Sequence, residues 1–117
     1  MSRSALEYIR HILDEAEYLL EQREGLHFEE FRHDPTLQRA FVRSLEIIGE
    51  AAKQVPEPFK RRYPQVEWRA MIAMRNRLIH GYFGVDYAIV WDVIVNKIPV
   101  VAEQMRMILQ QEEGRAD

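Results

Sequence analysis

The sequence predicts an all-α protein: an antiparallel up-and-down bundle of four main helices with short helical turns between them. Three observations predict it. Apolar residues recur at alternating spacings of three and four through most of the chain, the signature of helices with one buried face. Glycine and proline, five of each, fall between these periodic stretches, where helices should stop. The Val/Ile-rich run at residues 89–95 has the composition of a strand, but nothing else in the sequence would pair with it. With 117 residues and no internal repeat, low-complexity tract or linker, a single domain over residues 1–117 is expected.

Ser4 and Glu7 have the spacing of a capping box, so the first helix should start there and run to about Arg23. Leu6, Ile9, Leu13, Ala16 and Leu20 form its apolar stripe, and Gly25 ends it. Residues 26–33 have room for a short helical turn. Asp34-Pro35 reads as N-cap and first helical residue, because proline there loses no intrahelical hydrogen bond. The second long helix buries Leu37, Phe41, Leu45, Ile48, Ala52 and Val55, and Pro56 and Pro58 close it. The basic stretch Lys60-Arg61-Arg62-Tyr63 then precedes Pro64. A third helix spans about residues 66–80, stopped by Gly81 and Gly84. Asp86 caps a fourth, from Tyr87 to about Gln111, which should kink at Pro99, since proline lacks an N–H and clashes with the carbonyl of Val95.

Composition excludes several classes. There is no cysteine, hence no disulfide, thiol nucleophile or thiolate metal site. No apolar run approaches the ~20 residues that span a bilayer, and Arg3, Glu7 and Arg10 interrupt any signal-like stretch. No membrane contact and a cytoplasmic location are expected. The net charge of −3 argues against a protein that coats nucleic acid indiscriminately. Charge is unevenly placed, however. Residues 57–80 hold six Lys/Arg against two Glu, while residues 1–34 hold four Arg against nine acids. One basic segment in an acidic protein can attract a polyanion locally; a solvated helix face would have the same composition.

The third helix breaks its own pattern. At 100° per residue, Trp68, Met71, Ile72, Leu78 and Ile79 gather into one apolar arc, and Arg75 falls in its middle. A guanidinium is seldom buried without a partner. Glu46 or Glu50 across the bundle, a subunit interface or an anionic ligand would each justify it. Asn76 and His80, four residues apart, lie on one flank, with His80 in the last turn and Gly81 beside it. Five residues of ideal helix set Arg75 and His80 about 140° apart. They converge only if the arginine bends, the last turn unwinds, or two subunits pool their residues, and the last option points to a homodimer.

Arginine, histidine and a polar amide suit cleavage of a phosphodiester through the RNA 2′-hydroxyl. Histidine exchanges protons near neutral pH, and the always-charged, forked guanidinium stabilises charge gathering on phosphorus oxygens. No metal and no cofactor is needed. His27 and His33, beside Glu29 and Glu30, do not make a metal site, because a six-residue spacing does not put both histidines on one helical face.

The stretch Arg75-Asn76-Arg77-Leu78-Ile79-His80-Gly81-Tyr82 resembles the motif of the HEPN superfamily, and its His-x-Tyr extension resembles the HepT toxin branch. The likeness extends to Leu45-Glu46-Ile47-Ile48-Gly49-Glu50-Ala51-Ala52, to Trp68 and Met71, and to the run from Asp86-Tyr87 to Ile98-Pro99, so it covers most of residues 35–105. The resemblance implies a homodimeric helical bundle whose shared cleft is a metal-independent endoribonuclease site. Arg75 and His80 would be catalytic, with Asn76 in support. It also implies a cognate minimal nucleotidyltransferase antitoxin that attaches AMP to Tyr82, giving a nucleotide-bearing phosphoprotein with its RNA cleavage blocked. The alternative is a non-catalytic accessory or nucleotide-binding subunit of a nucleotidyltransferase, with Arg75 on a phosphate. A DNA-binding helix-turn-helix fits poorly, since the third helix has an apolar arc rather than an exposed basic recognition face.

Overall fold

The computed structural model describes residues 4–81 and 84–115, and among them every regular element is a helix. Helix α1 (Ala5–Arg23) starts where the Ser4 hydroxyl accepts the Glu7 N–H at 3.4 Å. It stops before Gly25, whose φ of +75° is a left-handed conformation that favours glycine. The turn α2 (Phe28–Phe31) is four residues long and too short to be stable alone. It is held by Phe31, fully buried and stacked on Phe41 at 5.2 Å between ring centroids. Burying such a ring contributes about 1.5–3 kcal/mol.

Helix α3 (Pro35–Gln54) begins as predicted, with the Asp34 carboxylate accepting the Leu37 N–H at 3.1 Å and Pro35 in its first turn. Phe41, Leu45, Ile48 and Ala52 are buried in it and Val55 just past its end, while Leu37 is only half-buried. Pro56 does close the helix, but Pro58 opens another. Helix α4 (Glu57–Arg62) carries Pro58 in its first turn, where no N–H is missed, and turns Phe59 into the core. Lys60, Arg61 and Arg62 of the basic stretch are therefore helical, and Tyr63 follows the helix.

Helix α5 (Trp68–Ile79) is anchored by Trp68, buried, with its indole N–H donating to the Tyr63 carbonyl at 3.1 Å. The fourth predicted helix is two: α6 (Tyr87–Asn96) and α7 (Ile98–Arg115), separated by Lys97 alone. The break lies two residues before Pro99. Lys97 keeps right-handed backbone angles and its N–H still reaches the Val93 carbonyl at 2.8 Å, so the chain bends without a loop. The β-branched run in α6 is helical because Val90 and Ile94 are buried against the bundle, and that packing overrides a weak strand propensity.

The buried side chains form one core cluster. Helix α3 packs on α1 and α5, and α1 in turn on α7. Arg10 pairs with Glu113 at 3.2 Å and Arg106 with Glu17 at 3.4 Å, so α1 and α7 run in opposite directions. Contact with both α3 and α7 rotates the buried line of α1 to Ile9, Ile12, Ala16 and Leu19, leaving the predicted Leu6, Leu13 and Leu20 half-buried. Arg62 and the Tyr63 hydroxyl both bond the Glu112 carboxylate, fastening the end of α4 to the end of α7. Burial, and then that carboxylate, push the Tyr63 hydroxyl above its ordinary pKa.

Helix α5 packs chiefly on α3, and the side facing α6 and α7 stays open. The resulting groove of about 410 Å³ has Leu45 and Ile48 among its lining, with Ala70 and Met74 of α5 and Val93 and Val101 of α6 and α7. Ile79, Ile89, Val100 and Met107 are exposed. No described helix is long and apolar enough to cross a membrane.

Candidate active site

Helix α5 meets α3 at a point that admits no side chain from α3. A Cβ on Gly49 would lie 2.2 Å from Arg75 Cβ and 2.6 Å from the Met71 carbonyl oxygen. Glycine in a helix interior costs about 0.8–1.0 kcal/mol relative to alanine, and here that cost secures the close approach that sets Arg75 over α3.

Arg75 is 23% exposed, and its Nη2 lies 2.9 Å from Glu50 Oε2. Of the two carboxylates within reach in the sequence, Glu50 is the one used; Glu46 lies 3.7 Å from Arg43 instead. The Arg75–Glu50 contact attracts charge to charge without the alignment of a hydrogen bond, and Arg75 Nε is buried with no hydrogen-bond partner among the described residues. An unsatisfied buried donor costs about 1–3 kcal/mol, and the fold bears that cost to keep the guanidinium in this place. On its other side Arg75 Nη1 donates to Asn76 Oδ1 at 2.9 Å. The arginine is therefore held between an anion on α3 and an amide on its own helix.

His80 is placed elsewhere. It caps α5, its backbone N–H donating to the Asn76 carbonyl at 3.2 Å, and it is exposed. It borders a depression of about 380 Å³ between the end of α5 and the start of α6, lined also by Arg77, Leu78, Gly84, Asp86 and Ile89. Among the described residues no side-chain hydrogen bond joins His80 to Arg75 or Asn76. The structure thus brings Arg75 and Asn76 together and leaves His80 apart, as ideal helix geometry requires. The apolar arc around Arg75 is thinner than its spacing predicts: Trp68 is buried, Met71, Ile72 and Leu78 are half-buried, and Ile79 is 39% exposed. Tyr82 lies outside the described residues.

Two further residues were not singled out by sequence reasoning. Gly49 was legible in principle, as a lone glycine inside a long apolar-periodic helix. Arg77 lies three residues before His80 and shares its depression; the same 100° rule that separates Arg75 from His80 puts Arg77 about 60° away. The His33 ring is engaged locally, its Nδ1 2.8 Å from the Glu29 carbonyl oxygen, and the His27 backbone N–H donates to the Glu30 carboxylate at 3.0 Å. No group of three metal-ligating side chains occurs among the described residues.

Known proteins with similar sequences span nearly the whole chain. A protein of Caldanaerobacter subterraneus subsp. tengcongensis named as an RNase is 50% identical over 91% of this chain and 95% of its own. Another named as an RNase, from Methanocaldococcus jannaschii, is 40% identical over 92% and 88%. A protein of Thermococcus cleftensis named as a ribonuclease HepT is 43% identical over 85% and 90%. No solved structure matches this chain. The family model described as Ribonuclease HepT-like matches residues 6–108, which take in α1 through most of α7 and with them Glu50, Arg75, Asn76 and His80. The chain therefore belongs to the HepT-like ribonuclease family.

Proposed function

We propose that this ribonuclease is the toxin of a toxin–antitoxin pair: a cytoplasmic, metal-independent endoribonuclease that cuts RNA through its 2′-hydroxyl and is silenced by AMP attached to Tyr82. The observation that carries the catalytic part is Arg75, a guanidinium set between Glu50 and Asn76 with one donor unsatisfied, on the helix that ends at an exposed histidine. In the reaction, histidine takes the 2′-hydroxyl proton and the freed oxygen attacks phosphorus. The bond to the 5′ oxygen breaks, that oxygen takes up a proton, and a 2′,3′-cyclic phosphate remains. Arg75 stabilises the extra negative charge on the phosphorus oxygens. Cleavage in excess chelator should proceed undiminished and leave 2′,3′-cyclic phosphate ends, and RNA with a single 2′-deoxy residue at the cut should resist. Activity that vanishes with chelator, or cutting at the deoxy position, would remove this mechanism.

The divergence of Arg75 and His80 is met by a homodimer in which one subunit supplies the arginine and the other the histidine, or in which paired helix ends share one cleft. Of the apolar residues beside Arg75, Met71, Ile72 and Leu78 are packed against the core, and Ile79 is exposed. The surface open to a second copy is the groove between α5 and α6–α7, with Val100, 52% exposed, at its edge. Val100→Glu is expected to turn a dimer into a monomer in light scattering and to lower cleavage in parallel. A Val100→Glu protein that is still dimeric would move the interface elsewhere.

Control falls to Tyr82, two residues past His80 and next to Gly81. Its hydroxyl oxygen would attack the α-phosphorus of ATP on the partner nucleotidyltransferase, releasing pyrophosphate and leaving an anionic nucleotide near the catalytic residues. Coexpression with that partner should add one or more AMP masses to the wild type and suppress cleavage. Tyr82→Phe should stay active and unmodified. An inhibited Tyr82→Phe protein carrying AMP would place control at another residue.

A further inference from the structure

The basic segment over residues 57–80 holds more positive charge than the fold neutralises. Of its six cations, Lys60 pairs with Glu57 at 3.5 Å, Arg62 with Glu112, and Arg75 with Glu50 at 2.9 Å. Arg61, Arg69 and Arg77 make no ion pair among the described residues. Of these three, Arg77 alone borders the depression that His80 lines, and it stands on the ridge between that depression and the groove of α5 and α6–α7, which it also lines. The histidine and this arginine share a concavity, whereas Arg75 faces α3.

The concavity suits an anion. Its volume of about 380 Å³ falls in the lower part of the range for small-ligand sites, which fits a phosphodiester with part of a ribose. Arg77 is exposed and presents a fork of donors matched to phosphate oxygens. Asp86, the one carboxylate among the described residues of the wall, already accepts the N–H groups of Ala88 at 3.0 Å and Ile89 at 3.4 Å at the start of α6. That start is the positive end of a helix dipole and offsets part of the carboxylate charge. Among the described lining residues the always-charged Arg77 thus faces one carboxylate that backbone donors already engage. Leu78 and Ile89 supply apolar wall on which a sugar can rest.

We propose that this depression is a phosphodiester-binding site for the RNA strand, in which Arg77 grips a backbone phosphate and so holds a ribose 2′-hydroxyl against His80 of the same subunit. The proposal rests on the ribonuclease reading and adds a residue and a place to it. Arg75 and Arg77 then have separate duties: one stabilises charge at the scissile phosphorus, the other fixes the strand on the histidine side.

The test uses a fluorescent 2′-O-methyl RNA oligonucleotide, which cannot react, titrated into the full chain at several salt concentrations. Arg77→Gln is expected to weaken binding about tenfold, as loss of a charged hydrogen-bonding contact does, and to flatten the salt dependence by about 0.7 in log–log slope, the value for one phosphate of a single strand. Arg77→Lys should recover most of both. Arg69→Gln makes the same charge change on the same helix, away from the depression, and should leave affinity within about twofold, the scale of a screened distant charge. With cleavable RNA, Arg77→Gln should raise KM more than it lowers kcat. Equal weakening in the Arg69 and Arg77 variants would mean diffuse attraction and overturn the site, as would an Arg77→Gln protein with unchanged affinity and slope. A wild type that binds the oligonucleotide in this manner but cuts no RNA would overturn the catalytic reading and leave the site standing. A wild type that cuts RNA while Arg77→Gln keeps its KM would do the reverse.

Discussion

Arg75→Ala and His80→Ala are each expected to lower RNA cleavage by about 10²–10⁴, the range for removing a general acid–base or a charge that stabilises the transition state, with the fold retained. Both side chains sit where truncation is mild. His80 is exposed at the end of α5, and Arg75 is partly exposed with an imperfect pairing to Glu50. Removing Arg75 leaves Glu50 without its cation, but Glu50 is 47% exposed and solvent can receive its charge. Melting temperatures near wild type should therefore accompany the loss of activity, and the double variant should be little worse than either single one, because residues acting as a unit are not additive. Mixing the two single variants separates the two ways of building the site. If arginine and histidine come from different subunits, an Arg75→Ala/His80→Ala heterodimer contains one intact cleft, and a statistical mixture recovers about a quarter of wild-type activity. If each cleft takes both residues from one chain, the mixture stays inactive. Full activity in either single variant would remove that residue from the mechanism.

What could be read from the sequence was what depends on neighbouring residues. Ser4, Asp34-Pro35 and Asp86 fix helix starts by hydrogen bonds within three residues, and each start lies where it was predicted. Pro58 was misjudged because proline ends one helix and opens the next with the same chemistry, and only the burial of Phe59 decides which. Pro99 predicts a kink within one helix, whereas the chain divides into α6 and α7 at Lys97, because whether a bend becomes a break depends on how each half packs. At the site, the angle between Arg75 and His80 followed from helix geometry alone. The choice of Glu50 over Glu46 did not, since the two lie about one turn apart on α3 and Arg43 takes up Glu46. Arg77 went unnoticed for a related reason: what sets it apart is the carboxylate partner it lacks, and pairing across helices is invisible before they are assembled.

Gly49→Ala should destabilise the protein and weaken catalysis together, while the same substitution at Gly114 should do neither. Gly49 is in the interior of α3 and Gly114 in the last turn of α7, so intrinsic propensity favours alanine by about 0.8–1.0 kcal/mol at the first and by less at the second. The surroundings reverse the sign at one of them. At Gly114 a new Cβ meets nothing within 4 Å, and a gain of up to that amount is expected. At Gly49 the Cβ would stand 2.2 Å from Arg75 Cβ and 2.6 Å from the Met71 carbonyl oxygen. The first is fixed to the backbone and the second is backbone, so neither can swing aside and α5 must lift from α3. Overpacking of this kind costs about 1–3 kcal/mol, leaving a net loss of up to about 2 kcal/mol after the propensity gain. For a chain of this size that is a fall in Tm of up to roughly 10 °C. The same displacement draws Arg75 away from Glu50 and from its setting beside Asn76. A shift of about 1 Å in a positioning group is enough to cost about 10²-fold in rate. Thermal melts and cleavage rates of the two variants decide it: a Gly49→Ala protein as stable and as active as wild type would mean that the crossing of α3 and α5 tolerates a side chain and does not set the arginine.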